Sequence, residues 1–265
     1  MPIRYETDGA IATITIDNGR LSIMQPQMHK EMHRVLTEFS ADDAVHVAIM
    51  KGADGCSFCA GDDLKWKPED PSNRTMLERQ LSTAKRRSDP PARPGWDQEI
   101  LRLERFKPII AAVDGYALGQ GFMMLTHLTD LRICTPDAEF GLPEVAYGMG
   151  GIGGLLRLGR QMPHTAAMWC MLTAERFSAE KAMEWHYVNE IVPRDDLAGR
   201  AREIAEKVAS LPPLAVRVEM ESYQRGMDMS REDAVIMMGH LYRMSVLGGA
   251  LEGITPAFMT KKKDD

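Results

Sequence analysis

The sequence predicts an α/β protein in which strands and helices alternate, followed by a helical C-terminal region. An Ile/Thr alternation at 11–17 has the period of a half-buried strand, and apolar residues at 27–39 then recur at helical spacing. A second apolar strand is predicted at 45–50, so the two kinds of element alternate as in βα units. From residue 197 onward the pattern is helical. The 265 residues therefore fit one large domain with a helical tail.

Composition excludes several classes of function. The apolar share of 44% and the charged share of 26% are ordinary for a soluble globular chain. The net charge of −6 disfavours a general nucleic-acid or membrane-surface binder. No apolar run approaches a membrane span and the first residues lack a signal peptide's apolar core, so a cytoplasmic protein without membrane contact is expected. Cys56-x-x-Cys59 has no second pair, which predicts no metal site.

The segment 107–160 contains the residues best suited to chemistry. A short apolar strand is followed by a turn in which Gly119 and Gly121 flank Gln120, and a helix is predicted directly afterwards. Backbone N–H groups at such a helix start can stabilise negative charge developing on a carbonyl oxygen. Glu144 follows among apolar neighbours, where a carboxylate tends towards a raised pKa and can shuttle protons. An ordinary glycine turn and a solvated glutamate would explain the same pattern.

This segment resembles the signature of the crotonase superfamily, the enoyl-CoA hydratases and isomerases. The run FCAGDDLK at 58–65 resembles the superfamily's F-x-AGADLKE motif, and the resemblance extends from about Ile11 to Lys261. It implies a crotonase-like spiral of ββα units at 1–195 and a helical region at 196–265 that completes the coenzyme A site and the oligomer. Members of the superfamily usually form trimers or paired trimers, so a homotrimer or hexamer is expected.

The resemblance also implies roles for individual residues. The backbone amides of Asp62 and Gln120 match the oxyanion hole that binds a thioester oxygen, and Glu144 matches a catalytic glutamate. No cofactor is implied beyond the coenzyme A moiety of the acyl-CoA substrate. Substrate contacts are implied for Ala60, Lys65, Gly121, Met123, Phe258 and Lys261, of which Lys65, Phe258 and Lys261 would hold coenzyme A.

Three positions depart from the superfamily pattern. Met123 stands where hydratases carry their first glutamate, and a thioether cannot exchange a catalytic proton. Asp62 and Gln120 replace Ala and Gly; a carboxylate at 62 that pointed into the cavity would oppose an enolate, whereas one pointing outward would be harmless. The sequence thus predicts an acyl-CoA enzyme with Glu144 as the sole acid/base, an isomerase or a hydratase. Alternatives are an aromatic acyl-CoA hydratase-lyase and a non-catalytic protein that binds CoA esters, RNA or a partner.

Three smaller expectations complete the prediction. Residues 66–100 are expected to form a loop with one helix near 74–87, of unassigned role. Ser178 is expected to cap a helix rather than to act as a nucleophile. The methionines between 220 and 244 are expected to fill the core or a subunit contact.

Overall fold

The computed structural model describes residues 2–66, 96–150 and 155–248, and two sheets organise its strands. Ile3–Asp8 and Ile11–Ile16 form an antiparallel hairpin, and the remaining neighbours in the larger sheet are parallel. In chain order the strands are β1 (Ile3–Asp8), β2 (Ile11–Ile16), β3 (Val47–Gly52), β4 (Ile109–Val113), β5 (Tyr116–Leu118), β6 (Leu131–Cys134), β7 (Glu139–Gly141), β8 (Phe177–Ser178) and β9 (Glu190–Ile191). The larger sheet has the order β1-β2-β3-β4-β6-β9, and the smaller has the order β5-β7-β8.

Helices connect the parallel strands, as parallel pairing requires. They are α1 (Pro26–Ala41), α2 (Trp96–Arg102), α3 (Gln120–Leu128), α4 (His164–Thr173), α5 (Ala179–Glu184), α6 (Arg194–Ala209), α7 (Pro213–Gly226) and α8 (Arg231–Leu247), with 3-10 helices at Pro143–Tyr147 and Leu155–Arg160. Pro26 lies at the first turn of α1, where its missing N–H costs nothing. Ser178 caps α5 by accepting a hydrogen bond from the Lys181 amide, so the predicted cap is confirmed.

The larger sheet is buried on both faces. On β3, Ala48 and Met50 pack into the main core, while Val47 and Ile49 face a second cluster. That second cluster includes Leu197, Ala201 and Ala205 of α6, which recur at helical spacing. Both sets of strand residues are apolar because a parallel sheet is covered on each side.

The chain divides into two compact units after Ala209. The second unit contains α7 and α8, which pack on each other. The α/β class predicted from the sequence is confirmed by the sheet and its crossovers. The domain boundaries predicted at 195 and 196 stay a prediction. The helix predicted near 74–87 lies outside the described residues.

The methionines of the second unit are mostly exposed. Met227, Met229, Met238 and Met244 are 42 to 67% exposed, because they lie on outer faces of α7, α8 and their connection. A core role among the described residues is therefore wrong for these four, and the subunit contact stays a prediction.

Candidate active site

The loop that follows β3 forms one side of the site. The Met24 amide donates to the Gly61 carbonyl, and the Asp63 amide donates to the Met24 carbonyl, both at 2.9 Å. Because Met24 bonds the residues on either side of Asp62, the N–H and C=O of Asp62 itself point away from Met24. The backbone amide at 62 is thus directed to the opposite edge of this extended segment.

The turn before α3 forms the second side. Gly119 has φ +54° and ψ −120°, a conformation that strongly favours glycine, and its carbonyl accepts the first helical hydrogen bond from Met123 at 2.9 Å. The amides of Gln120 and Gly121 lie in the first turn of α3, where N–H groups have no intrahelical partner. A Cβ at Gly121 would lie 2.2 Å from the Cys59 carbonyl oxygen. The turn and the 59–62 segment therefore touch backbone to backbone.

Glu144 occupies the second position of the 3-10 helix Pro143–Tyr147 and closes the site from a third direction. A Cβ built on Gly119 would lie 2.7 Å from Oε1 of Glu144 and 3.7 Å from Cα of Gly61. Glu144 and the 61–62 loop thus meet at the turn that precedes α3. The three segments lie at residues 59–62, 119–121 and 143–147, and the fold brings them together.

The environment of the Glu144 carboxylate is largely apolar. Its Oε2 is buried and has no hydrogen-bond partner among the described residues. Burial is the main cause that raises the pKa of Glu144 above its ordinary value of 4.5, and the nearby charge of Asp62 raises it further. A hydrogen bond with its own backbone lowers it. The net direction is upward, so the carboxyl group holds its proton more readily than an ordinary glutamate does.

A contact that the sequence did not predict joins α1 to the site. Nε2 of His29 lies 2.7 Å from Oδ1 of Asp62, and the side chains are 1% and 19% exposed. Residues 29 and 62 are far apart in sequence, and the apolar spacing of α1 predicts only core contacts. A polar residue on the buried stripe of a helix, between Met28 and Met32, was the one available signal.

The other predicted site residues have different surroundings. Met123 is 4% exposed and packs in the main core. The side chain of Gln120 extends to the Asp97 carbonyl of α2, with Nε2 at 3.5 Å, so its backbone amide and side chain have separate surroundings. Ala60 is half-buried, and Lys65 is exposed. Phe258 and Lys261 lie outside the described residues.

Comparison with known proteins defines the class. A profile described as enoyl-CoA hydratase/isomerase matches residues 6–243, and the chain belongs to this family. The (E)-benzylidenesuccinyl-CoA hydratase of Thauera aromatica is 32% identical over 238 residues, which cover 89% of this chain and 87% of that protein. The carnitinyl-CoA dehydratase of Shigella flexneri is 34% identical over 231 residues, covering 86% and 82%.

Solved structures agree with the sequence relatives. An enoyl-CoA hydratase/isomerase from Mycobacterium paratuberculosis superposes with a TM-score of 0.79 at 33% identity, covering 96% of this chain and 94% of the other. An enoyl-CoA hydratase from Bacillus anthracis gives 0.78 at 27% identity, covering 97% and 98%. The predicted crotonase-like architecture is confirmed. The protein is an enzyme of the hydratase/isomerase family, which favours catalysis over the non-catalytic alternative.

The helices and the potential metal ligands of the described residues are relevant to the predictions on membranes and metals. None of their helices combines the length and the apolar character needed to cross a bilayer. In the same residues, His, Cys, Asp and Glu side chains form no group of three that could hold a metal ion.

Proposed function

We propose that the protein is an acyl-CoA hydratase or dehydratase that adds water to, or removes it from, the 2,3-bond of an acyl thioester. The observation that carries the proposal is the approach of the Glu144 carboxylate to the Gly119 turn, where backbone amides begin α3. The Thauera and Shigella relatives are named for the addition and removal of water on CoA thioesters, which supports the same reaction type here.

The amides of Asp62 and Gln120 bind the thioester oxygen in this proposal. The Gln120 amide lies at the positive end of α3, and the Asp62 amide points away from Met24. An enolate oxygen carries more negative charge than the carbonyl from which it forms, so fixed N–H donors stabilise it more than they stabilise the substrate. Such donors are usually the largest single contribution to catalysis of this kind.

Glu144 exchanges the proton at the α carbon. Its raised pKa makes the protonated form more accessible than in an ordinary glutamate, which suits a group that both gives and takes a proton. General acid–base catalysis of this kind contributes about 10²–10⁴-fold to the rate.

A second candidate is double-bond isomerisation. Met123, buried and unable to transfer a proton, favours a reaction that one acid/base completes by moving a proton between two carbons. A 3-enoyl-CoA converted to its 2-enoyl isomer without hydration would support this candidate, whereas a 3-hydroxyacyl-CoA product supports hydration.

The test compares wild type with Glu144→Gln on a panel of 2-enoyl-CoA thioesters. The panel includes straight-chain, aryl-substituted and quaternary-ammonium acyl groups, because the relatives act on different acyl groups. We expect kcat to fall about 10²–10⁴-fold in Glu144→Gln. Glu184→Gln, an exposed carboxylate on α5 that pairs with Lys181, is the matched control and should keep wild-type activity. Unchanged turnover in Glu144→Gln would remove Glu144 from the mechanism.

Contacts to coenzyme A belong to the proposal as well. Lys65, Phe258 and Lys261 are proposed to hold its phosphate and adenine groups, and Ala60, Gly121 and Met123 to contact the acyl thioester. Lys65→Ala and Lys261→Ala should raise KM more than they lower kcat, because contacts to remote parts of the substrate are made equally in ground and transition states. The acidic net charge disfavours nucleic acid as a partner.

We further propose a homotrimer or hexamer. In the second unit, α7 and α8 leave apolar side chains more than half exposed, a set that suits burial between subunits. The set comprises Tyr223, Val235, Ile236, Tyr242, Met244 and Leu247. Light scattering on the purified protein should give three or six times the chain mass, and a monomer would refute this part. A cytoplasmic location stays a prediction.

A further inference from the structure

Hydration needs two proton transfers, one to the α carbon and one from the attacking water, and the site contains a second carboxylate suited to the latter. We propose that the side chain of Asp62, positioned by His29, is the base that activates water, while Glu144 supplies the α proton. This inference rests on the proposed hydratase function. It replaces a sole acid/base by two carboxylates, neither of which stands at position 123.

The contact between His29 and Asp62 fixes the carboxylate. An ionised carboxylate only accepts hydrogen bonds, so Nε2 of His29 is the donor in the 2.7 Å contact. The imidazole is 1% exposed in the stripe of α1 that packs on the core, so it has little freedom to turn. Its Nδ1 is buried with no hydrogen-bond partner among the described residues. The contact through Nε2 is therefore the one by which this ring holds the carboxylate of Asp62.

Asp62 also lies near Glu144. A Cβ built on Gly119 would lie 3.7 Å from Cα of Gly61, the residue before Asp62, and 2.7 Å from Oε1 of Glu144. The charge of Asp62 contributes to the raised pKa of Glu144. The environments differ, since Asp62 accepts a hydrogen bond from His29 whereas Oε2 of Glu144 has no partner among the described residues. Two carboxylates in unlike environments are the usual arrangement for separate acid and base roles.

The proton balance of the step is complete with water as the only co-reactant. Asp62 takes a proton from water as the water oxygen bonds to the β carbon, and the π electrons of the 2,3-bond move to give the enolate. The enolate then takes the proton of Glu144 at the α carbon, and a C–H bond forms. Asp62 ends protonated and Glu144 ionised, and exchange with solvent restores both groups.

A competing interpretation assigns Asp62 no proton transfer. On that view His29 merely holds an unfavourable negative charge away from the enolate, and Asp62→Asn would leave hydration unchanged or make it faster. The proposal predicts slower hydration by Asp62→Asn, whereas the competing interpretation predicts an unchanged or higher rate, so the measured rate separates them.

The experiment measures two reactions on the same variants. Hydration of a 2-enoyl-CoA that wild type accepts needs both carboxylates. Exchange of the α protons of the corresponding saturated acyl-CoA in D₂O needs only the amide pair and Glu144, because no water is added. We expect Asp62→Asn to lower kcat for hydration about 10²–10⁴-fold and to keep α-proton exchange near the wild-type rate. Glu144→Gln should lose both reactions, and Asp54→Asn, a surface carboxylate 94% exposed, should lose neither.

His29 is tested as a positioning residue with a matched pair of variants. His29→Gln retains a side-chain N–H that can donate to Asp62, and His29→Leu has none. We expect His29→Leu to lower kcat for hydration by about 10²-fold with little change in KM or in α-proton exchange, and His29→Gln to recover most of that loss. Equal losses in both variants, or a parallel loss of exchange, would make the contact purely structural and overturn the positioning role. Thermal unfolding of each variant identifies any that fails to fold.

The outcomes distinguish this inference from the proposed function. If wild type catalyses neither hydration nor exchange on any thioester of the panel, the proposed function fails. If wild type exchanges α protons and isomerises but does not hydrate, the second carboxylate has no role and the inference is overturned. If wild type hydrates and Asp62→Asn hydrates as fast or faster, the inference alone is wrong.

Discussion

Substitution of Gly119 by Ala tests whether the turn before α3 positions the Glu144 carboxylate. The new Cβ would lie 2.7 Å from Oε1 of Glu144, whereas ordinary contacts of Cβ begin near 3.4 Å. Oε1 is the end of a flexible side chain, so we expect the carboxylate to move rather than the backbone. A displacement of this size at a group that transfers a proton is expected to lower kcat by about 10²-fold.

The same substitution also strains the backbone, and a control variant separates the two effects. Ala at φ +54° and ψ −120°, a sparsely populated backbone conformation, costs about 1–3 kcal/mol of stability. Gly9 has a similar φ of +58° with nothing within 4 Å of its Cβ position, and it lies in the turn between β1 and β2. Gly9→Ala should therefore also lose free energy of unfolding, because its φ is positive, and should keep wild-type kcat.

The assay is steady-state hydration of the best substrate in the panel, together with urea unfolding of each variant. Gly119→Ala combined with Glu144→Gln should be no slower than Glu144→Gln alone, because both changes act on one group and their effects do not add. If folded Gly119→Ala kept wild-type kcat, or if the double variant lost the product of the two single effects, the turn would not act through Glu144.

Three further predictions concern stability. Because the folded-state pKa of Glu144 is raised, its ionised form destabilises the fold. This penalty is absent below about pH 4.5 and grows as pH rises through the raised pKa. In urea unfolding, Glu144→Gln should therefore have the same free energy of unfolding as wild type in acid and a higher one above that window. No gain at neutral pH would contradict the apolar environment of that carboxylate. Gly121→Ala would set a Cβ 2.2 Å from the Cys59 carbonyl oxygen, which no rotamer change relieves, so we expect a loss of about 3 kcal/mol or more by chemical denaturation. A variant within about 1 kcal/mol of wild type would show that the turn can separate from the 59–62 segment. Ser178→Ala removes the cap of α5 and should cost about 1 kcal/mol in thermal unfolding with kcat unchanged, while altered kcat would reopen a chemical role for the hydroxyl.

Much of the fold could be predicted because the sequence patterns that indicate its strands and helices are local. The run 109–113 is short and wholly apolar, the run 131–134 is apolar except for Arg132, and the strands form over the same residues. The short strands of the smaller sheet were not predicted, since a strand of two or three residues gives no period, and the six-residue hairpin strand β1 was not predicted either. Their pairing depends on contacts such as Gly119 N–H to the Gly141 carbonyl, which join residues distant in sequence.

The site was predictable in part for the same reason. The glycine turn and Glu144 were visible as motifs, and the family resemblance added the loop at 60–63. The contact between His29 and Asp62 was not predictable, because it depends on how α1 packs against a loop that follows a different strand. Whether the carboxylate at 62 faced the cavity or the solvent was left open by the sequence, and the structure adds a third possibility in which a buried imidazole holds it.

Backbone and side chains have separate roles in the proposed site, which explains how this chain can depart from its family pattern and remain an enzyme of that family. Substitution is sterically restricted at Gly119 and Gly121, where the segments touch, so the positions of the amide donors depend on the absence of side chains. At the amide-bearing positions themselves the side chains reach elsewhere, Gln120 to α2 and Asp62 to His29, so large polar residues fit without disturbing the amides. Since the amides provide enolate stabilisation in the proposed mechanism, the choice between hydration and isomerisation falls to the few side chains that can carry protons. In the mechanism that we propose, the carboxylate of Asp62, held by His29, is the side chain that favours hydration over isomerisation.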